Sequence, residues 1–433
     1  RFLSNAAKKH SPARVIIIID GVNRLKSEGM PDGALHWVPT ELPPCVRFIL
    51  SSVELERLPK AAGDPPQHRT FVELARRKCP LLRIEPLSQQ IRNNVIHAFL
   101  EMNSDKITLN DAQQFKIISA PATSQPMYLR SLLQAVCMCS TLTSSSIDQL
   151  LETFLHCSTA HELVDKNLNI CCQSVFPDGN NPEMPDEKAK MEILGKIFTI
   201  VYISRTGLTE SEIWGVIRMV TSIHMDEVQM KNLLNILAEF TMVVDGMHSF
   251  SHEIYNEVVY DKYICSRDNL IRWHQLMARY FSQLETGPRK LVALPYHLEV
   301  AGSWGKVKNC LTDINMFQLW WTRDFKADFI KTWAQLTKVV PKSIEPYGTI
   351  RKDTHEAKHD KKEASRPTYD VVEEYVKSLD EWMTKEHPDA EAVATIILLI
   401  ADFLLEFATL GHENNADVPH IIHPFIPPED LEA

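Results

Sequence analysis

The 433-residue chain is defined first by what it lacks. No Gly-x₄-Gly-Lys-Ser/Thr phosphate loop occurs: Gly195-Lys196 is followed by Ile, and Gly305-Lys306 by Val. Backbone amides and the lysine of such a loop supply most of a phosphate grip, so the chain alone is expected to bind nucleotide poorly. There is no excess of positive charge. A formal net charge of −10 argues against a general binder of nucleic acid or anionic membrane, both of which need a cationic surface. No disulfide framework is visible: nine cysteines without framework spacing suggest free thiols in a reducing, cytoplasmic setting. Cys137 and Cys139, and the Cys171-Cys172 pair, lack zinc spacing and read as core thiols. His161-Glu162 and His252-Glu253 each begin a His-Glu pair, but neither completes H-E-x-x-H, and no Gly-x-Ser-x-Gly elbow occurs. No signal peptide is seen. The chain opens at Arg1 and ends in a Pro-rich stretch, which suggests a fragment of a longer protein.

What is present starts with "RVIIIIDGVNRL", residues 14–25. So short an apolar run is expected to be a buried strand with Asp20 at its edge. "VRFILSS" is expected to be a second buried strand ending in Ser51 and Ser52, and "LLRIEPL", 81–87, a weaker third. From Ser88 the period becomes helical, with Ser88 as N-cap and further helices to about residue 173. A Pro/Asn/Asp-rich linker covers 174–188. Beyond it, helical segments, with a capping box at Thr209 and Glu212, lead to a hairpin turn at Asp245-Gly246. Three helices followed by a hairpin predict a winged-helix domain. "KVKNCLTDINMFQLWW" reads as one of several later helices, and the charged 351–366 as a linker. In "AVATIILLIADFLLEFATLG", 392–411, Asp402 and Glu406 sit near the middle, which favours a soluble helix with one polar edge over a membrane span.

The order strand-Asp, strand-Ser, helical domain, winged helix, helices resembles the NACHT branch of the STAND signalling NTPases. "IIIIDGVNRL" looks like its Walker B strand, "RFILSS" like sensor 1, and "SQPMYLRSLLQAV" like its "NPLYL" motif. "SFSHEIYNEVVYDKY" matches the phenylalanine-x-histidine pattern ending the winged helix, and "RKLVALPYHLEVAGSW" the helices that follow in nephrocystin-like, tetratricopeptide-carrying members. The resemblance covers about residues 10–320 and implies an α/β plus α chain. Its parts would be half of a parallel-sheet P-loop NTPase domain (1–85), a helical domain (86–173), a winged helix (189–262) and a helical domain (263–350); beyond it, helical periodicity gives a helix pair (367–433) of the kind that begins α-solenoids, though one pair does not demonstrate a repeat.

It also implies site residues. Asp20 would hold Mg²⁺ through water, and Ser51 or Ser52 would sense the γ-phosphate of ATP. Pro126 would lie against the adenine, and His252 would meet the β-phosphate of ADP in a closed state. Read without the resemblance, the serines are turn-formers, Pro126 starts a helix and His252 makes a local hydrogen bond; both sets stay open. Asn23 and Arg24 stand where many relatives carry a second acid. Asn23 can orient a water but cannot take its proton, which puts hydrolysis in doubt.

Two functions follow. One is a scaffold switched between ATP and ADP, with protein partners on its C-terminal helices, self-association in an active state, and a ciliary place by resemblance only. The other is an interaction scaffold whose NTPase core is degenerate. A winged-helix DNA binder is disfavoured, since Arg218 and Lys231 face Glu210, Glu212, Asp226, Glu227 and Glu239 in that region.

Overall fold

The computed structural model describes residues 15–22, 35, 38–39, 41–43, 45–52, 66–142, 146–174, 187–221, 227–337 and 367–413. They fall into two compact units that meet in sequence between Ile84 and Glu85.

In the first unit β1 (Val15–Ile19) pairs in parallel with β2 (Val46–Leu50), Val15 opposite Val46 and Ile19 opposite Leu50. Among the described residues a helix, α1 (Pro66–Arg76), is the other regular element of this unit. Val22, Leu35 and Val38 form a small core with Ile19, Leu50 and Leu74 packed against it. Arg77 ties this core to the loop, donating to the carbonyls of Val38 (2.7 Å) and Leu35 (2.9 Å). Glu73 binds Arg76 and Arg77, and the two guanidinium groups pull its carboxyl down to about 2.

Two expectations need correction here. The strands are not buried on both faces: Ile16, Ile18 and Ile49 are exposed, so among the described residues the sheet is covered on one side only. Period-two alternation then emerges from sequence that is apolar throughout, because coverage and not composition decides which face is dry. Residues 81–87 form no strand; Leu81, Leu82 and Ile84 lie exposed in irregular backbone. Pro80 and Pro86 bracket the stretch without N–H donors, and no described strand runs beside it.

The second unit is almost wholly helical. Its first layer comprises α2 (Gln89–Met102), α3 (Asp111–Ser119), α4 (Pro126–Leu142), α5 (Ile147–Leu155) and α6 (Ala160–Ser174). Ser88 caps α2 as expected, accepting from the Ile91 N–H. Asn110 with Gln113 and Ser146 with Gln149 make capping boxes on α3 and α5. The Tyr128 hydroxyl on α4 donates to the Phe154 and Cys157 carbonyls, stitching α4 to the end of α5. Cys137, Cys139 and Cys171 are buried free thiols.

Next come α7 (Glu187–Ile203), α8 (Glu210–Val220) and α9 (Glu227–Phe240), then the antiparallel hairpin of β3 (Thr241–Val244) and β4 (Met247–Phe250). Asp245 and Gly246 both take positive φ (51° and 76°), the two-residue turn that matches strand twist. Behind the hairpin lie α10 (Glu253–Val259) and a π-helical turn, Tyr260–Ile264. The remainder is α11 (Arg267–Ser282), α12 (Pro288–Val300), α13 (Trp304–Thr312), α14 (Ile314–Trp320), α15 (Lys326–Leu336), α16 (Val371–Glu386) and α17 (Ala390–Glu413). Residues 306–321, expected as one helix, are split at Asp313. Its backbone is extended there (ψ 118°), and its carboxylate caps α14 by accepting from the Met316 N–H at 2.9 Å.

Between α11 and α12 two buried imidazoles meet, His274 Nδ1 and His297 Nδ1 at 2.9 Å, so one ring must donate and the other accept. Burial pushes His274 down to about 4 and His297 well below its ordinary range; neighbouring Arg289 adds to the second. The folded protein thus keeps both rings neutral, while the unfolded chain takes up protons below about pH 6.5. Stability from the pair is complete above that pH and is lost as pH falls from 6.5 towards 4. We expect His274 alone to contribute on the order of 3 kcal/mol to that loss. Urea midpoints measured from pH 7.5 to 4.5 should fall for the wild type and fall less for His274→Phe; parallel curves would refute the assignment.

Candidate functional site

The C-terminal edge of β1 and β2 brings a carboxylate and a hydroxyl together in the first unit. The Ser51 N–H donates to the Ile19 carbonyl at 3.1 Å and the Val22 N–H to the Ser51 carbonyl at 3.0 Å, so pairing continues past both strands. That continuation fixes Asp20 beside Ser51. The Ser51 hydroxyl donates to Asp20 Oδ1 in a short contact, and accepts from the Gly21 N–H at 2.8 Å. Gly21 has φ 66°, the left-handed conformation a glycine adopts without strain. Both Asp20 and Ser51 are exposed. Ser52 Oγ is buried without a hydrogen-bond partner.

A carboxylate at a strand end is a hard oxygen donor that suits a water-coordinated magnesium ion, and Asp20, hydrogen-bonded by Ser51, would be the residue to hold it. Among the described residues no group of three or more His, Cys, Asp or Glu could enclose a metal. Asn23 lies outside the described residues.

Pro126 and His252 belong to the second unit. Pro126 is the exposed first residue of α4, where its missing N–H costs the helix nothing. His252 is the N-cap of α10: its extended backbone (φ −153°, ψ 148°) turns Nδ1 inward to accept from the Ile254 N–H at 3.1 Å. An imidazole that accepts there carries its proton on Nε2, away from the helix. The local hydrogen bond read for His252 is present, and the residue is exposed.

Sequence reasoning missed a different surface. The α17 helix is long and apolar enough to cross a membrane by length and composition, yet most of it is unburied. Its inner edge, Ile396, Ile400 and Phe403, packs into the main core, where Phe403 meets Phe329, Trp321 and Tyr375 at centroid separations of 5.0–5.6 Å. Its two mid-helix acids serve the same packing: Asp402 accepts from Trp321 Nε1 at 2.9 Å, and Glu406 pairs with Lys326, which lies 4.0 Å over the Trp321 ring. On the outer side Ala394, Leu398, Ala401, Leu405 and Ala408 recur at helical spacing, with Leu398 70% and Leu405 69% exposed. The apolar run was visible in sequence; that half of it faces outward was not.

A TPR repeat-containing protein of Dictyostelium discoideum is 24% identical to this chain over 326 residues, which cover 75% of the chain and 18% of that protein. The chain therefore spans less than a fifth of the length of that relative. No family model and no solved structure matches. The likeness and the mostly helical structure together fit a TPR-like helical region.

Because His252 caps a helix, His252→Ala should lower stability by about 1 kcal/mol, and His252→Asn or His252→Ser should restore most of it. Urea unfolding at pH 7.5 checks this. Equal losses in all three variants would mean that the ring acts through something other than its cap.

Proposed function

We propose that the chain is a protein-interaction scaffold whose C-terminal helix pair, α16 and α17, presents a binding face. The observation that carries this is the outward stripe of α17, where Leu398 and Leu405 stay exposed although the opposite edge packs on the core. Isolated exposed leucines are ordinary, but a helix-long apolar row marks an interaction surface. Likeness to a TPR repeat-containing protein supports the reading. A photo-crosslinking residue in place of Leu398 or Leu405, in the longest natural form of the protein in cells, should give discrete protein adducts. The same residue at exposed Arg279 should give none. Adducts no richer at 398 and 405 than at 279 would remove the basis of the scaffold.

A nucleotide-switched version of this scaffold, of NACHT type, is favoured by one specific observation: Asp20 and Ser51 are joined at the C-terminal edge of parallel strands, where α/β folds bind ligands. In this reading α7–α9 with the β3–β4 hairpin are a winged helix. Asp20 holds Mg²⁺ through water, Ser51 or Ser52 senses the γ-phosphate, and Asn23 orients water. Pro126 borders adenine, and His252 turns its outward Nε2 to ADP. The protein would act in the cytoplasm, shifting between two packings by its differential affinity for ATP and ADP. Titration of the longest natural form with fluorescent ATP and ADP should show magnesium-dependent binding, weakened at least about tenfold by Asp20→Ala. Failure to bind either nucleotide leaves the scaffold alone.

A further inference from the structure

The helix pair that offers the α17 stripe is not evenly charged. Residues 380–391, the end of α16, the connecting turn and the start of α17, carry five acids (Asp380, Glu381, Glu386, Asp389 and Glu391) against one lysine, Lys385. All five acids are exposed. Asp389 is used locally, its carboxylate accepting from the Ala392 N–H at 2.7 Å, and Glu386 accepts from Asn315 Nδ2 at 3.5 Å. Glu391, Ala394, Leu398, Ala401 and Leu405 follow one another at steps of three or four, so the acidic end and the apolar row share one face of α17. Towards its other end the stripe finishes in Ala408 and Thr409, and from there to Glu413 the helix carries no Lys or Arg.

We propose that this face receives an amphipathic helix from another protein, seated by its apolar side on Leu398 and Leu405 and carrying lysines or arginines at the end that lies against the 380–391 turn. The inference rests on the scaffold reading and names its partner's chemistry. A partner helix reads such a row with residues at i, i+3, i+4 and i+7, filling the shallow places over Ala401, between the two leucines, and over Ala394 and Ala408 beside them. The acidic turn sets its direction and rejects acidic competitors.

Two other occupants satisfy the surface less well. Pairing with a second copy sets the acids against another acidic turn or against the Ala408–Glu413 end, which carries no Lys or Arg, so neither direction supplies those cations. A membrane surface with anionic lipid would be repelled by the same acids.

The test uses the full chain and two fluorescein-labelled helical peptides of about 20 residues. They share a Leu/Ala face and differ only in four terminal residues, all lysine in one and all glutamate in the other. The basic peptide should bind at least about tenfold tighter than its acidic twin, with a gap that narrows in high salt. Asp380→Lys/Glu391→Lys should close that gap, and Leu398→Ser/Leu405→Ser should weaken both peptides. The four positions are exposed, so unfolding midpoints should stay level and show that each variant is folded.

Equal binding of the twins, or binding of neither, overturns the proposal. So does a dimer in light scattering that Leu398→Ser/Leu405→Ser dissolves, or capture by phosphatidylserine vesicles. Crosslinked partners at position 398 with indifferent twins would leave the scaffold standing and the charge selection refuted. Loss of both would refute the two together.

Discussion

Glu212 is a point through which the second unit is held together. It is buried on α8, and one of its oxygens closes the capping box by accepting from the Thr209 N–H. Both of its oxygens also take a forked pair of bonds from Arg289 of α12, at 2.6 and 2.8 Å. The same guanidinium reaches back to Thr206 Oγ1 and the Gly207 carbonyl, and lies 5.2 Å over the Phe281 ring. Phe281 stacks on His297, which meets His274. A buried carboxylate is costly unless fully paired, and this one is satisfied from the start of its own helix and from α12, distant in sequence. The α8 start, α11 and α12 are therefore set against one another by hydrogen-bond direction as well as by apolar packing.

From that anchor the helices run outward to an aromatic cluster around Phe317, Phe329, Trp333, Tyr375 and Phe403, which seats α16 and α17. Charge then fixes the pair in place: Lys308 binds Glu374 at 2.7 Å, and Lys326 binds Glu406. With one edge of α17 committed to this core, its opposite edge is committed to the surface. The candidate interaction face is thus a consequence of rigid packing on the other side, which is how a scaffold holds a partner at small cost in conformational entropy.

The first unit has a different character. Two parallel strands and a short helix carry a core of a few apolar side chains, with Arg77 bonding the loop carbonyls from within. Asp20 and Ser51 are brought together by the parallel register alone: Ile19 sits opposite Leu50, so the next residue on each strand must adjoin. Strand-Asp and strand-Ser could be read separately from the sequence. Their hydrogen bond required knowing that the strands are neighbours.

By itself the sequence determined the local features, because those depend on residues a few positions apart. The Ser88 cap, the Thr209–Glu212 box, the Asp245-Gly246 turn and the two strands all stand where short-range chemistry puts them. It failed where a neighbour distant in the chain decides. Residues 81–87 had strand composition but no partner strand among the described residues. Only the tertiary structure settled which edge of α17 is covered, and that Asp402 and Glu406 are consumed by Trp321 and Lys326. Periodicity tells which residues share a face; burial of that face depends on what the rest of the chain lays against it.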